Sequence, residues 1–333
     1  MARSVFPNPI WTKNFNQMNK NHDNENIDSH STHDANEDIR NRDIKIFVNG
    51  DIVPREQAKV SVYDSGFMLG DGMWEGLRLY NGTWSFFEEH MDRLFNSCKA
   101  VSLDIGMSKA DIAEALQKTA EANNMFTDVH CRLMVTRGVK SRPFQHPDLS
   151  RSGPTIVIIM EHSKPAEFLQ TNGIRLASVP QVRGLPHSQD AKFNSHSKLN
   201  CVIACLQAEA AGADEALMLD PLGFVNTTNA CNFFIVRSGE IWTSTGDYCM
   251  NGVTRRKVID LCKNNNIPIF EKNYSLYEAY SADEAFLTGT FGAQTPVAEI
   301  DRKSIGDGGA GPITKRIRAL YKDLIEATTG ERH

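Results

Sequence analysis

From residue 44 onward, short strand-type runs alternate with amphipathic helical runs, and several strands follow one another across tight turns. Mixed elements with many hairpins specify an α+β chain. The first run, "IKIFVNGDIVP" at residues 44–54, alternates about Asn49-Gly50 and predicts a β-hairpin. "EEHMDRLFNSCKAVSL" spaces Met91, Leu94 and Cys98 as a helix does. "SKADIAEALQKTAEANN" predicts a second helix, with Ser108 as N-cap and Asp111 three residues on. Two strands follow, "HCRLMVTRG" and "TIVIIME". The polar stretch at residues 162–172 then reads as a linker between a small domain, 44–161, and a larger one, 173–333. The larger one opens with a strand at 174–179 and a loop to about Asn194. Its first helix puts Leu199, Val202, Ile203, Leu206 and Ala210 on one face. Strands, a helix from "NGVTRRKVIDLCKNNN", a strand–turn–strand and a closing amphipathic helix complete it.

Residues 1–43 differ from the rest. Between residues 12 and 43 there are eight Asn plus His22, His30 and His33, with almost no aliphatic side chains. Such a stretch buries too little apolar surface to offset its ordering entropy, so it is expected to be a disordered, solvated tail. It has neither the apolar region of a signal peptide nor the composition of a transit peptide.

The 333-residue length suits about two domains at roughly 100–200 residues each. A formal net charge of −5 argues against a nucleic-acid partner. No apolar run approaches the roughly 18 residues of a membrane span. Seven cysteines without a CxxC pair indicate neither a zinc site nor a disulfide framework, so no metal is expected and a reducing, cytoplasmic setting is.

Two turns have the form of anion cups. "GVTRR" sets Gly252, Val253 and Thr254 at a helix start, where unpaired N–H groups and the helix dipole favour a phosphate. "LTGTFGAQTP" sets Gly289, Thr290, Phe291 and Gly292 directly after a strand, where further N–H groups converge.

The ordered series "DSGFMLGDGMWEGLRLY", "EEHMDRL", "CRLMVTRG", a Lys/Asn-rich helix start, "DEALMLDPLGFVNTTNACNFFIV", "NGVTRR", "DEAFLTGTFGAQTPVAEIDR" and "GPITKRI" resembles the class IV aminotransferases over about residues 44–325. These are the fold-type IV enzymes of pyridoxal 5'-phosphate (PLP), which include branched-chain and D-amino acid aminotransferases and aminodeoxychorismate lyases. The resemblance implies a small α/β domain before a larger, barrel-like one, with the cofactor between them. It implies a homodimer acting on an amino acid or amine and a keto acid, with neither nucleic acid nor membrane as partner. It gives Arg93, Val253, Thr254 and Thr290, with the adjoining Phe291, to the cofactor phosphate. Arg132 falls where the family often carries an inward arginine suited to a substrate carboxylate. Trp74 and Leu69 fall where relatives line the substrate pocket.

Two positions depart from the family pattern. "DAKFNSHSKLNCVIA" puts Asn194 where relatives carry the lysine that bonds covalently to the cofactor. Lys198, four residues on and so expected on the same helix face, falls where relatives often carry a tyrosine, and is the favoured substitute; Lys192, two residues before, is the alternative. Thr227 stands where relatives have a glutamate facing the pyridine nitrogen. Threonine offers only a hydrogen bond there, so the ring would be a weaker electron sink. The departures leave three readings: an aminotransferase similar to the branched-chain enzymes, a lyase resembling aminodeoxychorismate lyase, or a scaffold repurposed after losing its PLP chemistry. A nucleophile at His196 or Cys201 has no third group to support it.

Overall fold

The computed structural model describes residues 31–330 apart from 34 and 36. Residues 1–30, with His22 and His30, lie outside it. The end of the Asn-rich segment is not a free tail. Residues Ile39–Asp43 form a 3-10 turn capped by Asp38. Thr32 is buried, its N–H donating to Glu215 Oε1 at 3.0 Å and its hydroxyl to the same oxygen. Composition alone hides this, because the partner carboxylate lies 183 residues away.

One sheet takes every strand up to residue 162. Strands β1 (Lys45–Val48) and β2 (Asp51–Pro54) form the expected hairpin, with Asn49 at φ 51° and Gly50 at φ 106°. Both positive φ values suit the turn that joins twisted strands, and explain Asn-Gly there. Helix α1 (Ser65–Leu69) precedes β3 (Gly72–Tyr80), β4 (Thr83–Trp84) and helix α2 (Phe87–Ala100). Helix α3 (Lys109–Ala122) opens with a full capping box between Ser108 and Asp111. Strands β5 (Val129–Thr136) and β6 (Thr155–His162) complete an antiparallel sheet of order β2-β1-β6-β5-β3-β4. The helices cover one face through Met91, Leu94, Ile112 and Leu116, packed with Leu77 and Leu133. The opposite face presents Trp74, Gly76 and Arg78 of β3 beside His130 and Arg132 of β5. This face meets the rest of the chain.

After a short helix α4 (Phe168–Thr171), the second sheet is built from β7 (Ile174–Val179), β8 (Glu215–Leu219), β9 (Val225–Thr228), β10 (Asn232–Arg237), β11 (Glu240–Thr243), β12 (Ile269–Glu271), β13 (Glu284–Gly289), β14 (Ala293–Ile300) and β15 (Lys303–Ser304). Its order is β12-β11-β10-β13-β14-β7-β8-β9, and β9 pairs back onto β10 through Thr227 and Asn232. The ring β10-β13-β14-β7-β8-β9 is therefore closed, a small barrel without free edges. Alternate residues of β10 serve two cores: Phe233 and Ile235 one, Phe234 and Val236 the other. Phe234 stacks on Phe286 at 5.0 Å between ring centres, under helices α7 (Val253–Asn264) and α9 (Pro312–Thr329). The remaining helices are α5 (Pro186–Gln189), α6 (Leu199–Ala210) and α8 (Leu276–Tyr280).

Helix α6 faces the other way from its apolar stripe. Leu199, Val202 and Leu206 are exposed at 70%, 50% and 58%, while Cys201, Ala204 and Ala208 are buried against the barrel. Small residues let the helix lie close to β7 and β8, and the large apolar ones are left outward.

Candidate active site

The phosphate-type cup forms where α7 leaves its loop. Gly252 caps the helix without a side-chain bond, so the first amides of α7 lack intrahelical partners. A Cβ at Gly252 would collide with Asn232 Oδ1, so only glycine lets the loop pass so close to β10. Asn232 Nδ2 in turn donates to the Met250 carbonyl at 2.9 Å. Buried Arg255 ties the loop from the other side, donating to the Ser244 carbonyl at 2.7 Å and to Glu271 at 2.9 Å. The cup is thus held before any ligand enters.

Arg93 of α2 points at this loop. Its Nε and Nη2 donate to the two oxygens of Glu75 at 2.8 and 2.6 Å, and Nη1 reaches the Asn251 carbonyl at 3.5 Å. Glu75 is fully buried and also accepts from His90 Nδ1 at 2.7 Å. Burial alone would raise its pKa, but the Arg93 charge and the hydrogen bonds from Arg93 and His90 carry it down. The carboxylate stays ionised and aims the guanidinium. Arg93, Val253 and Lys192 line one cleft of about 870 Å³. Thr254 and Thr290 meet behind the cup, both lining a small enclosed cavity with His90 and Tyr321. The two turns singled out in the sequence therefore meet at Thr254 and Thr290, while Arg93 lines the neighbouring cleft beside Gly252 and Val253.

The two candidate lysines occupy unlike places. Lys192 is exposed at the cleft rim. Lys198 is half-buried at the N-cap of α6, its Nζ 5.9 Å from the centre of the Trp74 ring. Burial, with the charges of Arg183, Arg93 and Arg132, lowers its pKa to about 8. Asn194 is not one helical turn before it, because α6 starts only at Leu199. Residues 194–196 instead pair with β3, and Asn194 Nδ2 donates to the Trp74 carbonyl at 2.7 Å.

Trp74 links the groups. Its Nε1 donates to the Ser195 carbonyl at 3.2 Å, and the Arg132 guanidinium stacks 3.9 Å from its ring centre. Arg132 has no ion pair among the described residues. Phe291 is buried with His130 edge-on at 5.4 Å and the Arg78 guanidinium at 5.4 Å. Leu69, at the end of α1, is exposed at 36%.

Two neighbours escaped the sequence reading. His130 lies two residues before Arg132, on the same face of β5; burial, then Arg78, His33 and Arg132, push its pKa down to about 3, and its Nδ1 has no hydrogen-bond partner among the described residues. Strand alternation from Arg132 would have found it. Arg183, in the loop after β7, donates from Nε to Thr227 Oγ1 at 2.8 Å and from Nη1 to Cys201 Sγ at 3.4 Å. It carried no local signal in a mixed polar loop, "PQVRGLPHSQD".

The model of the class IV amino-transferase family matches residues 72–300. The chain is 39% identical to branched-chain-amino-acid aminotransferase-like protein 2 of Arabidopsis thaliana, over 86% of this chain and 51% of that protein. It thus spans about half the length of that relative. It is 38% identical to a putative branched-chain-amino-acid aminotransferase of Methanocaldococcus jannaschii, over 84% of this chain and 96% of the relative. A T.th. branched-chain amino acid aminotransferase solved with N-(5'-phosphopyridoxyl)-L-glutamate superposes with a TM-score of 0.78 at 30% identity, over 87% of this chain and 95% of that one.

Proposed function

This chain belongs to the class IV aminotransferase family, and from that premise we propose that it is a PLP-dependent aminotransferase, similar to the branched-chain enzymes, that moves an amino group between an amino acid or amine and a keto acid. The observation that carries the reading is the Lys198 amine, half-buried among three arginines with its pKa lowered to about 8. An amine must be neutral to attack a carbonyl, and with this pKa about a tenth of it is neutral at pH 7, against well under a hundredth for an ordinary lysine.

The donor set fits the cofactor. Arg93, the first amides of α7 at Val253 and Thr254, and the turn at Thr290 and Phe291 would hold a dianionic phosphate. Thr227 would face the ring nitrogen, and Lys198 would hold the carbonyl carbon. PLP, when bound, supplies the electron-withdrawing ring that makes a substrate α-hydrogen removable. Lys198 Nζ, once free, would take the proton from the substrate α-carbon and give it up on the cofactor side, the net proton shift that amino-group transfer requires. Arg132 binds the substrate carboxylate, and Trp74 orients that guanidinium by stacking. His130, kept neutral, presents a hydrogen-bonding edge beside it.

We assign a homodimer on the exposed Leu199, Val202 and Leu206 face of α6, an apolar stripe of the kind that marks a protein interface. A cytoplasmic setting is supported by seven unbridged cysteines. No helix among the described residues is long and apolar enough to cross a membrane.

The test is to incubate the purified chain with PLP, a panel of amino donors and a keto-acid acceptor, and to measure both products. Equimolar new keto acid and new amino acid are expected. Pyruvate released without any acceptor would reassign the chain to the lyase reading. Neither product, with no PLP retained, would overturn the proposal in favour of a repurposed scaffold.

A further inference from the structure

Thr227 is not an isolated threonine. It sits at the seam that closes the barrel, opposite Met218 of β8 and Asn232 of β10, neither of which brings a charge. Its Oγ1 accepts from Arg183 Nε at 2.8 Å, and its own hydroxyl donates to the Thr228 carbonyl at 2.8 Å. That carbonyl also accepts from Arg183 Nη2. The Thr228 carbonyl therefore keeps a donor if the Thr227 hydroxyl turns away. The hydroxyl proton is free to be offered to another acceptor, while its lone pair stays committed to the guanidinium.

The charges around this hydroxyl are positive. Arg183 has no carboxylate partner among the described residues, and its Nη1 goes to Cys201 of α6. Lys198, at the head of the same helix, is close enough to feel the Arg183 charge. Glu215, on the neighbouring strand, accepts from Thr32 at Oε1, and neither of its oxygens bonds Arg183 or Thr227 among the described residues. A basic nitrogen placed against Thr227 would meet a hydroxyl donor backed by a fixed cation. That arrangement favours the neutral nitrogen on two counts, because it accepts the hydrogen bond and adds no like charge.

We propose that Arg183, acting through the Thr227 hydroxyl, holds the ring nitrogen of bound PLP unprotonated. The inference rests on the cofactor reading above and reverses what a carboxylate at position 227 would do. Arg183 is a positioning residue: it fixes which way Thr227 can bond and supplies the charge behind it. The consequence is a weaker electron sink, so loss of the substrate α-proton is slower than a protonated ring would allow.

The experiment is to load the full chain with PLP labelled with ¹⁵N in the ring and to record its nitrogen chemical shift from pH 6 to 9. The wild type, Arg183→Lys, Arg183→Gln and Thr227→Glu are compared, and borohydride reduction is used in parallel to show that a lysine is labelled. The wild type is expected to give the shift of an unprotonated pyridine throughout, and Arg183→Lys to keep it. Arg183→Gln should move the signal toward the protonated value at the acid end, and Thr227→Glu should move it fully at pH 7. A merely structural role for Arg183 would leave the shift of Arg183→Gln unchanged and overturns the proposal. So does a protonated nitrogen in the wild type with a labelled lysine. Absence of both nitrogen signal and labelled lysine overturns the cofactor reading and this inference with it.

Discussion

Asn194 and Trp74 clasp each other where the segment before α6 lies along β3. The Trp74 N–H donates to the Asn194 carbonyl at 2.9 Å, and Asn194 Nδ2 donates to the Trp74 carbonyl at 2.7 Å. Asn194 is thus a staple on the Trp74 backbone, and Lys198 Nζ lies 5.9 Å from the ring of the same residue. Asn194→Ala is expected to cost about 1–3 kcal/mol, the usual penalty for a buried carbonyl left without its donor. Urea unfolding of the two proteins measures it.

Glu75 holds Arg93 toward the loop before α7, and each needs the other. Arg93→Ala leaves a fully buried carboxylate without its main partner, and about 3 kcal/mol of stability should go with it. Glu75 titrates below its unfolded value, so its stabilisation is complete above about pH 4.3 and is lost as pH falls through the folded value. Acid unfolding of Glu75→Gln should therefore be flatter in this window than that of the wild type.

The Lys198 amine is expected to show itself in a pH profile. With its pKa lowered to about 8, attachment of the cofactor should rise through that pH and level off above it. The ordinary lysine value near 10.4 would instead give a rate still climbing at pH 10. In the unfolded chain the amine binds its proton more tightly, so between these two values this group adds stability as pH rises. Rapid-mixing absorbance after PLP addition reads the attachment rate directly.

Arg132 stacks on Trp74 and lacks an ion-pair partner among the described residues, so its charge is available to substrate. Arg132→Leu should raise KM for a carboxylate substrate by roughly 10–100-fold, the loss of one charge-assisted contact of about 1.5–3 kcal/mol. An amine lacking a carboxylate should be affected far less. Steady-state kinetics on the two donor classes separates them, and equal losses on both would remove Arg132 from carboxylate binding.

The outward stripe on α6 predicts assembly. Val202→Glu with Leu206→Glu places charges where apolar surface must be covered, and should convert a dimer to a monomer by light scattering. An unchanged mass would place any interface elsewhere.

Local signals carried the parts of this molecule that are set locally. The Asn49-Gly50 hairpin and the Ser108–Asp111 capping box need only neighbouring residues, and both form as expected. The two small-residue turns were visible too, because glycine at a helix start or after a strand has a short-range cause. What the sequence hid depends on distant partners. The α6 periodicity marked an apolar face without saying which side meets the barrel. Thr32 is buried by Glu215, and Arg183 reaches Thr227 from 44 residues away. The helical relation expected between Asn194 and Lys198 fails for the same reason, since pairing with β3 delays the start of α6 to Leu199.

Lys198 is expected to carry the cofactor. The most direct measurement is borohydride reduction of the PLP-loaded chain, followed by peptide mass mapping, with Lys198→Ala and Lys192→Ala alongside. A single modified peptide containing Lys198, lost in Lys198→Ala and kept in Lys192→Ala, is the predicted result. Modification at Lys192, or PLP retained with no lysine modified, would remove Lys198 from that role.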